Sequence, residues 1–150
     1  MKKILLKILK WALKKLARLA LSKYRPKVVG ITGSVGKTSA KSAIARVLSS
    51  EKFVRASHGN FNGDIGLPLA ILGDWHKEDL KFISRDAPPG RHFLRKFLFF
   101  GKVASVGVLG LIFKSRYPEI LILEYGVDRS GDMKYLLEIA EPDVAVITAI

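Results

Sequence analysis

The chain has 150 residues, of which 49% are hydrophobic and 26% charged, with no cysteine and a formal charge of +13. This length suits one domain with a real core, and the composition excludes a disordered or collagen-like chain. The lack of cysteine excludes a disulfide framework and any thiolate metal site.

The charge is uneven. Residues 1–27 hold ten Lys/Arg and no acid, which leaves 16 Lys/Arg against 13 Asp/Glu in residues 28–150, a net of +3. A basic arm on a nearly balanced domain points the arm at an anionic surface, lipid or nucleic acid, and does not mark the whole chain as a nucleic-acid binder. Within the arm, Ile4, Leu5, Ile8, Leu9, Ala12, Leu13, Leu16, Leu19 and Ala20 recur at helical spacing, so residues 2–23 are predicted as one amphipathic helix. Lys3, Lys7, Lys10, Lys14 and Arg18 gather on its other face. The lysines recur too often for a membrane span or a signal peptide. A helix lying in a membrane interface is the favoured reading, with Trp11 near the boundary of the two faces. Packing on protein is the next reading, and a nucleic-acid partner is the least favoured. Pro26 ends the arm.

From Lys27 short apolar runs alternate with helical stretches, the pattern of βαβ units and a parallel sheet. Strands are predicted at 28–32, 53–57, 119–125 and 143–149, and helices at 37–50, 64–73 and 131–141. A further apolar segment, 91–113, follows the Pro88-Pro89-Gly90 breaker and is too short in its uncharged part to span a bilayer; it reads as a buried or interfacial helix. There is no internal repeat and no low-complexity tract.

Val28–Thr32 reads as a strand, Gly33-Ser34-Val35-Gly36 as a turn, and Lys37-Thr38 as the opening of a helix with an apolar face of Ala40, Ala43, Ile44, Val47 and Leu48. That order of elements is what a phosphate-binding P-loop requires. Gly33 and Gly36 allow successive N–H groups to surround phosphate oxygens, aided by the helix N-terminus. Lys37 then reaches the β- and γ-phosphates, and the Thr38 hydroxyl binds Mg²⁺. One departure is Ile31, which stands where the general pattern has glycine.

Further candidates follow from position. Glu124 ends a buried strand, where open α/β sheets bind ligands, and suits a metal; a strand-end acid capping a neighbouring helix is the plainer alternative. Asn60 and Asn62 lie in a loop after a strand and serve either a ligand or their own backbone turns. Asp64 is expected as N-cap of a helix beginning at Ile65. His58, His76 and His92 read as surface residues, and Asp128 and Asp132 as acids favouring the next helix N-terminus. None of these histidines and acids has zinc-site spacing.

Thr32-Gly33-Ser34-Val35-Gly36-Lys37-Thr38 resembles the shortened P-loop of the Mur ligase family. Gly59-Asn60-Phe61-Asn62-Gly63-Asp64-Ile65-Gly66-Leu67-Pro68-Leu69 is similar to the Asn-rich motif of that family's D-alanyl-D-alanine-adding branch, with Gly63 where another Asn is usual. Leu121-Ile122-Leu123-Glu124-Tyr125-Gly126 resembles the strand whose terminal Glu contacts magnesium, and Gly131-Asp132 and Glu141–Thr148 match in order and spacing. The resemblance covers about 27–73 and 117–150, with about 74–116 as an insertion.

It implies an α/β, P-loop NTPase-like, mostly parallel sheet flanked by helices: residues 28–150 as an ATP-binding domain incomplete at its C-terminus, and 1–27 as the basic helix in place of the family's UDP-sugar-binding domain. It implies ATP and Mg²⁺ as cofactors, held by Gly33, Ser34, Val35, Gly36, Lys37, Thr38, Asn60 and Asn62, with Thr38 and Glu124 on the metal and Lys37 and Glu124 catalytic. The implied activity is a peptidoglycan-precursor ligase joining a UDP-muramoyl-peptide-like carboxylate to an amino acid or dipeptide amine through an acyl-phosphate. The implied location is the cytoplasm, with peripheral contact at the inner face of the membrane through the arm. The chain stops before the family's downstream metal-binding His, modified Lys and C-terminal domain, and so is expected to be part of a longer protein that binds nucleotide without ligating by itself. The competing readings are a membrane-associated P-loop NTPase of another function and a basic binding module with a degenerate P-loop.

Overall fold

The structure is a computed structural model that describes residues 2–58, 61–75, 93–113 and 116–149. Its elements in chain order are α1 (Lys2–Tyr24), β1 (Lys27–Thr32), α2 (Lys37–Leu48), β2 (Val54–Ala56), α3 (Gly66–Leu72), α4 (Phe93–Ile112), β3 (Ile120–Glu124), α5 (Asp132–Ile139) and β4 (Val144–Ile147). Each predicted element is present, most of them trimmed by a residue or two at the ends.

The four strands form one parallel sheet in the order β2-β3-β1-β4. β3 lies between β2 and β1, and its Leu121, Ile122, Leu123 and Glu124 are all buried, as expected of a central strand covered on both faces. Register pairs Ile31 with Glu124 and Thr32 with Ile147, so the C-terminal ends of β1, β3 and β4 come together. The crevice outside those ends is where an open α/β sheet receives ligands.

α2 packs on β1, β2 and β3, while α3 meets β3 and is covered in turn by α1, α4 and α5. The core is built from Leu13, Ala17 and Ala20 of α1, the almost wholly buried α3, Phe99 and Val103 of α4, Leu121 and Leu123 of β3, and Leu136 and Ile139 of α5. Arg55 donates to the carbonyls of Ala70 and Ile71 at 3.3 and 2.9 Å, satisfying acceptors that the C-terminus of α3 leaves open. Burial holds the Arg55 guanidinium below its ordinary pKa and pushes the Tyr117 phenol up to about 12. Tyr117 stacks on Tyr24 at a centroid distance of 4.2 Å and thereby ties the start of β3 to the end of α1.

Two local expectations are corrected, those for α2 and for Asp64, and one face of the arm finds its partner. The arm packs on its own domain: Leu13 is buried, Leu9 and Leu16 press against the core, and Arg25 in the left-handed region followed by Pro26 turns the chain into β1. In α2 the inward residue is Lys41, which is buried, while Ala43 and Val47 of the expected apolar face are exposed. Asp64 is not an N-cap, because α3 begins at Gly66 after Ile65 with no side-chain cap; its carboxylate pairs instead with Lys10 of α1. His76 and His92 lie outside the described residues.

Candidate functional site

β1 delivers the chain to the crevice, and the turn that follows depends on two glycines. Gly33 has φ 135° and Gly36 has φ 85°, values that side chains rarely tolerate. At Gly33 space adds to the requirement, since a Cβ there would lie 2.2 Å from Thr148 Oγ1. Thr148 holds the neighbouring strand end in place, its N–H and hydroxyl both donating to Thr32 O at 2.9 and 3.1 Å. Ser34 N–H donates to Ala149 O at 2.8 Å, and Val35 bridges to Ala149, so the loop leans on the chain after β4.

Gly36 is the N-cap of α2, and no side chain caps the helix. The first amides of α2 therefore keep their donors for a ligand, with the helix dipole behind them. Lys37 folds over the loop and donates to the carbonyls of Gly33 and Ser34, the latter at 3.2 Å. Thr38 is exposed at the start of the helix.

Glu124 ends β3 beside this loop and is 3% exposed. Two side chains hold its carboxylate: Lys41 Nζ at 3.0 Å from Oε2, and Asn62 Nδ2 at 3.3 Å from Oε1. Asn62 also accepts the Gly126 N–H at its backbone carbonyl, at 2.8 Å, and its amide lies where a Cβ on Gly126 would be. The Asn-rich loop is thereby locked onto the end of β3. Lys41 was not a sequence candidate; the signal available was its place one turn after Lys37 on the inward side of α2. Asn60 lies outside the described residues.

Beside Gly126 and Gly63 opens a cavity of about 340 Å³ that also takes in Asp64, Asp128, Arg129 and Asp132. Asp132 opens α5, and its carboxylate accepts the backbone N–H groups of Asp128 and Arg129 at 3.1 and 2.8 Å, so it ties the loop as well as facing the helix start. His58 is at the surface, as expected, with Nε2 2.6 Å from Asp74 Oδ1. Among the described residues no group of three or more His, Cys, Asp or Glu could hold a metal ion by itself.

A parallel sheet, a glycine-dependent loop entering a helix, and a buried acid on the adjacent strand define an α/β domain of the P-loop type. No family model matches the chain. In sequence it is similar to the Mur ligases of the MurF type. It is 32% identical over 139 residues to the UDP-N-acetylmuramoyl-tripeptide–D-alanyl-D-alanine ligase of Bacillus subtilis, covering 93% of this chain and 22% of that protein. The ligase of the same name from Synechocystis sp. is 47% identical over 45 residues, 30% of this chain and 10% of that one. Among solved structures, the MurF ligase of Thermotoga maritima in complex with ADP superposes with a TM-score of 0.63 at 31% identity, over 94% of this chain and 24% of that one. The chain thus spans 22% of the length of the Bacillus subtilis relative.

Proposed function

We propose that this chain supplies the nucleotide-binding part of an ATP-dependent carboxylate–amine ligase of peptidoglycan precursor synthesis. The observation that carries the reading is the convergence of three separate sequence blocks: the Gly33–Thr38 loop, Asn62 and Glu124 meet at one end of the sheet, with Asn62 bonded directly to Glu124.

In this reading the N–H groups of Val35 to Thr38 surround the phosphates, Gly33 and Gly36 shape the loop, the Ser34 N–H stays on Ala149 O, and Lys37 turns from its loop carbonyls to the β- and γ-phosphate oxygens. Thr38 and Glu124 offer the hard oxygen donors that Mg²⁺ prefers, and Glu124 keeps lone pairs beyond those used by Lys41 and Asn62. A bound Mg²⁺ would neutralise phosphate charge. Asn60 and Asn62 orient the reacting groups. The substrate carboxylate oxygen attacks the γ-phosphorus, ADP leaves, and an acyl-phosphate results; the amine then attacks its acyl carbon, phosphate departs, and an amide remains. The chain's part is charge neutralisation and positioning, with Lys37 and Glu124 as the catalytic groups.

The carboxylate substrate is of the UDP-muramoyl-peptide kind and the amine an amino acid or dipeptide, as the names of the relatives suggest. Residues 28–150 form the ATP-binding unit, α1 is its basic flank, and about 74–116 is an insertion. The location is the cytoplasm, with the arm touching the inner face of the membrane; no helix among the described residues is long and apolar enough to cross one. Calorimetric titration of this chain with ATP and Mg²⁺ tests the reading at its base: saturable binding that weakens when Mg²⁺ is withdrawn is expected, and no binding of ATP or ADP sinks it.

A further inference from the structure

α4 uses little of its surface on the rest of the protein. Its inward stripe is Phe99, Val103 and Gly107, at helical spacing, with Gly107 lying against Leu16 of α1 and Leu72 of α3. Around the remaining circumference Phe97, Leu98, Val108, Leu109 and Ile112 are all exposed, and Phe113 follows just beyond; Phe97, Ile112 and Phe113 are 64–67% exposed. A surface helix of a protein that meets only water shows the reverse, polar outside and apolar inside.

α1 continues this surface. Lys23 donates to the carbonyls of Gly110, Leu111 and Phe113, and Tyr24 donates to Gly110 O, so the ends of the two helices are fastened side by side. Leu5, Ile8 and Leu19 of α1 are exposed and fall within about a quarter-turn of Leu16, the residue that meets α4. They therefore border α4, whereas Lys10 and Lys14 point to the other side, where they pair with Asp64 and Glu138.

Charge identifies what covers this face. Neither α1 nor α4 contains a single Asp or Glu, and the exposed Lys15 of α1 and Lys102 of α4 lie on the same helical sides as Ile8 and Leu19 and as Leu98 and Leu109 respectively. A broad apolar surface with only positive charge beside it complements apolar chains under anionic head groups. No described helix is long and apolar enough to cross a bilayer, so a contact of these two helices with one would run along its surface.

We propose that α4, bordered by the outer side of α1, is a docking surface for an anionic lipid bilayer, with α4 supplying the main apolar contact and the exposed lysines the electrostatic one. This adds a second element to the arm contact proposed above and does not depend on the ligase reading.

The test is flotation of the chain with vesicles of phosphatidylcholine alone or mixed with phosphatidylglycerol. The wild type should float with the mixed vesicles, far less with the neutral ones, and be partly released by salt. The Leu98→Ser, Leu109→Ser, Ile112→Ser variant changes only exposed positions and should unfold thermally as the wild type does, yet bind mixed vesicles about tenfold less or weaker. The Lys15→Gln, Lys102→Gln variant should lose the salt-sensitive part of binding. If the α4 variant binds as well as wild type, the proposal falls. Should Ile4→Ser, Leu5→Ser, Ile8→Ser alone abolish binding, the arm contact survives and the role of α4 does not. A wild type that ignores vesicles and runs as a dimer on gel filtration would show that a second copy covers this face instead, and a wild type that ignores vesicles as a monomer overturns the proposal as well.

Discussion

Lys41 Nζ lies 3.0 Å from Glu124 Oε2, and both side chains are about 95% buried, so an ion pair joins the inner side of α2 to the end of the central strand. Charges in such a place are tolerable only while each neutralises the other, and removing one partner of a buried pair strands the second at a cost of about 3–5 kcal/mol. Lys41→Met and Glu124→Gln should each destabilise the chain by roughly that amount, and the double variant should cost less than the sum. Urea unfolding of the three variants measures this. Additive single effects, or single effects of well under about 1 kcal/mol, would show that the pair does not hold α2 to β3.

Lys37 behaves differently, because among the described residues its hydrogen-bond partners are the carbonyls of its own loop. Lys37→Ala should leave the unfolding midpoint nearly unchanged while weakening ATP binding by about tenfold or more, through loss of the charge facing the β- and γ-phosphates. Calorimetric titration beside thermal unfolding separates the two effects. Equal nucleotide affinity in wild type and variant would remove Lys37 from the site.

The two loop glycines should differ in severity. Gly36→Ala meets only Thr148 Cβ at 3.9 Å, so its cost is that of a left-handed conformation, about 1–2 kcal/mol. Gly33→Ala meets greater backbone strain, since φ 135° lies farther outside the left-handed well, and also drives a methyl into Thr148 Oγ1, which must move and release its bond to Thr32 O. Gly33→Ala should therefore lose nucleotide binding altogether while Gly36→Ala only weakens it. Reversal of that order in a titration of both variants would mean the loop is not seated against Thr148.

These contrasts also show what the sequence makes legible. β1, the loop and the opening of α2 form one contiguous block whose pattern is local, and the strand, turn and helix that it predicts are in place. Lys41 was missed because a lysine is assigned inward only when its partner is known, and Glu124 is 83 residues away in the chain. Asp64 followed a local capping rule until a long-range partner, Lys10, outcompeted it. The arm shows the same limit: its apolar periodicity gave the helix, but the question of what covers that face was answered by α3, α4 and α5, none of which adjoins it in sequence.

The last prediction concerns acid. Asp143 accepts the Val28 N–H at 2.8 Å and the Lys27 ammonium at 2.9 Å, and these bonds, the backbone one first, hold its carboxyl below the ordinary value. Glu138, bonded to Lys14, and Glu119, bonded to Lys52 and the Phe53 N–H, are lowered for the same reason. A carboxyl whose folded pKa is depressed stabilises the fold above its unfolded pKa, and that stability disappears as pH falls through the folded value. Stability should thus be flat near neutrality and decline below about pH 4, where unfolded Asp and Glu begin to take protons. Asp143→Asn should lower stability at pH 7 by about 1 kcal/mol or less, because the carboxylate is partly exposed and solvent screens it. The same variant should show a shallower decline between about pH 4 and pH 2, since one of the groups driving it is gone. Urea unfolding of both proteins across that range checks the slope. A variant whose stability falls with acid as steeply as the wild type would show that the Asp143 tie between β1 and β4 contributes nothing to the acid response.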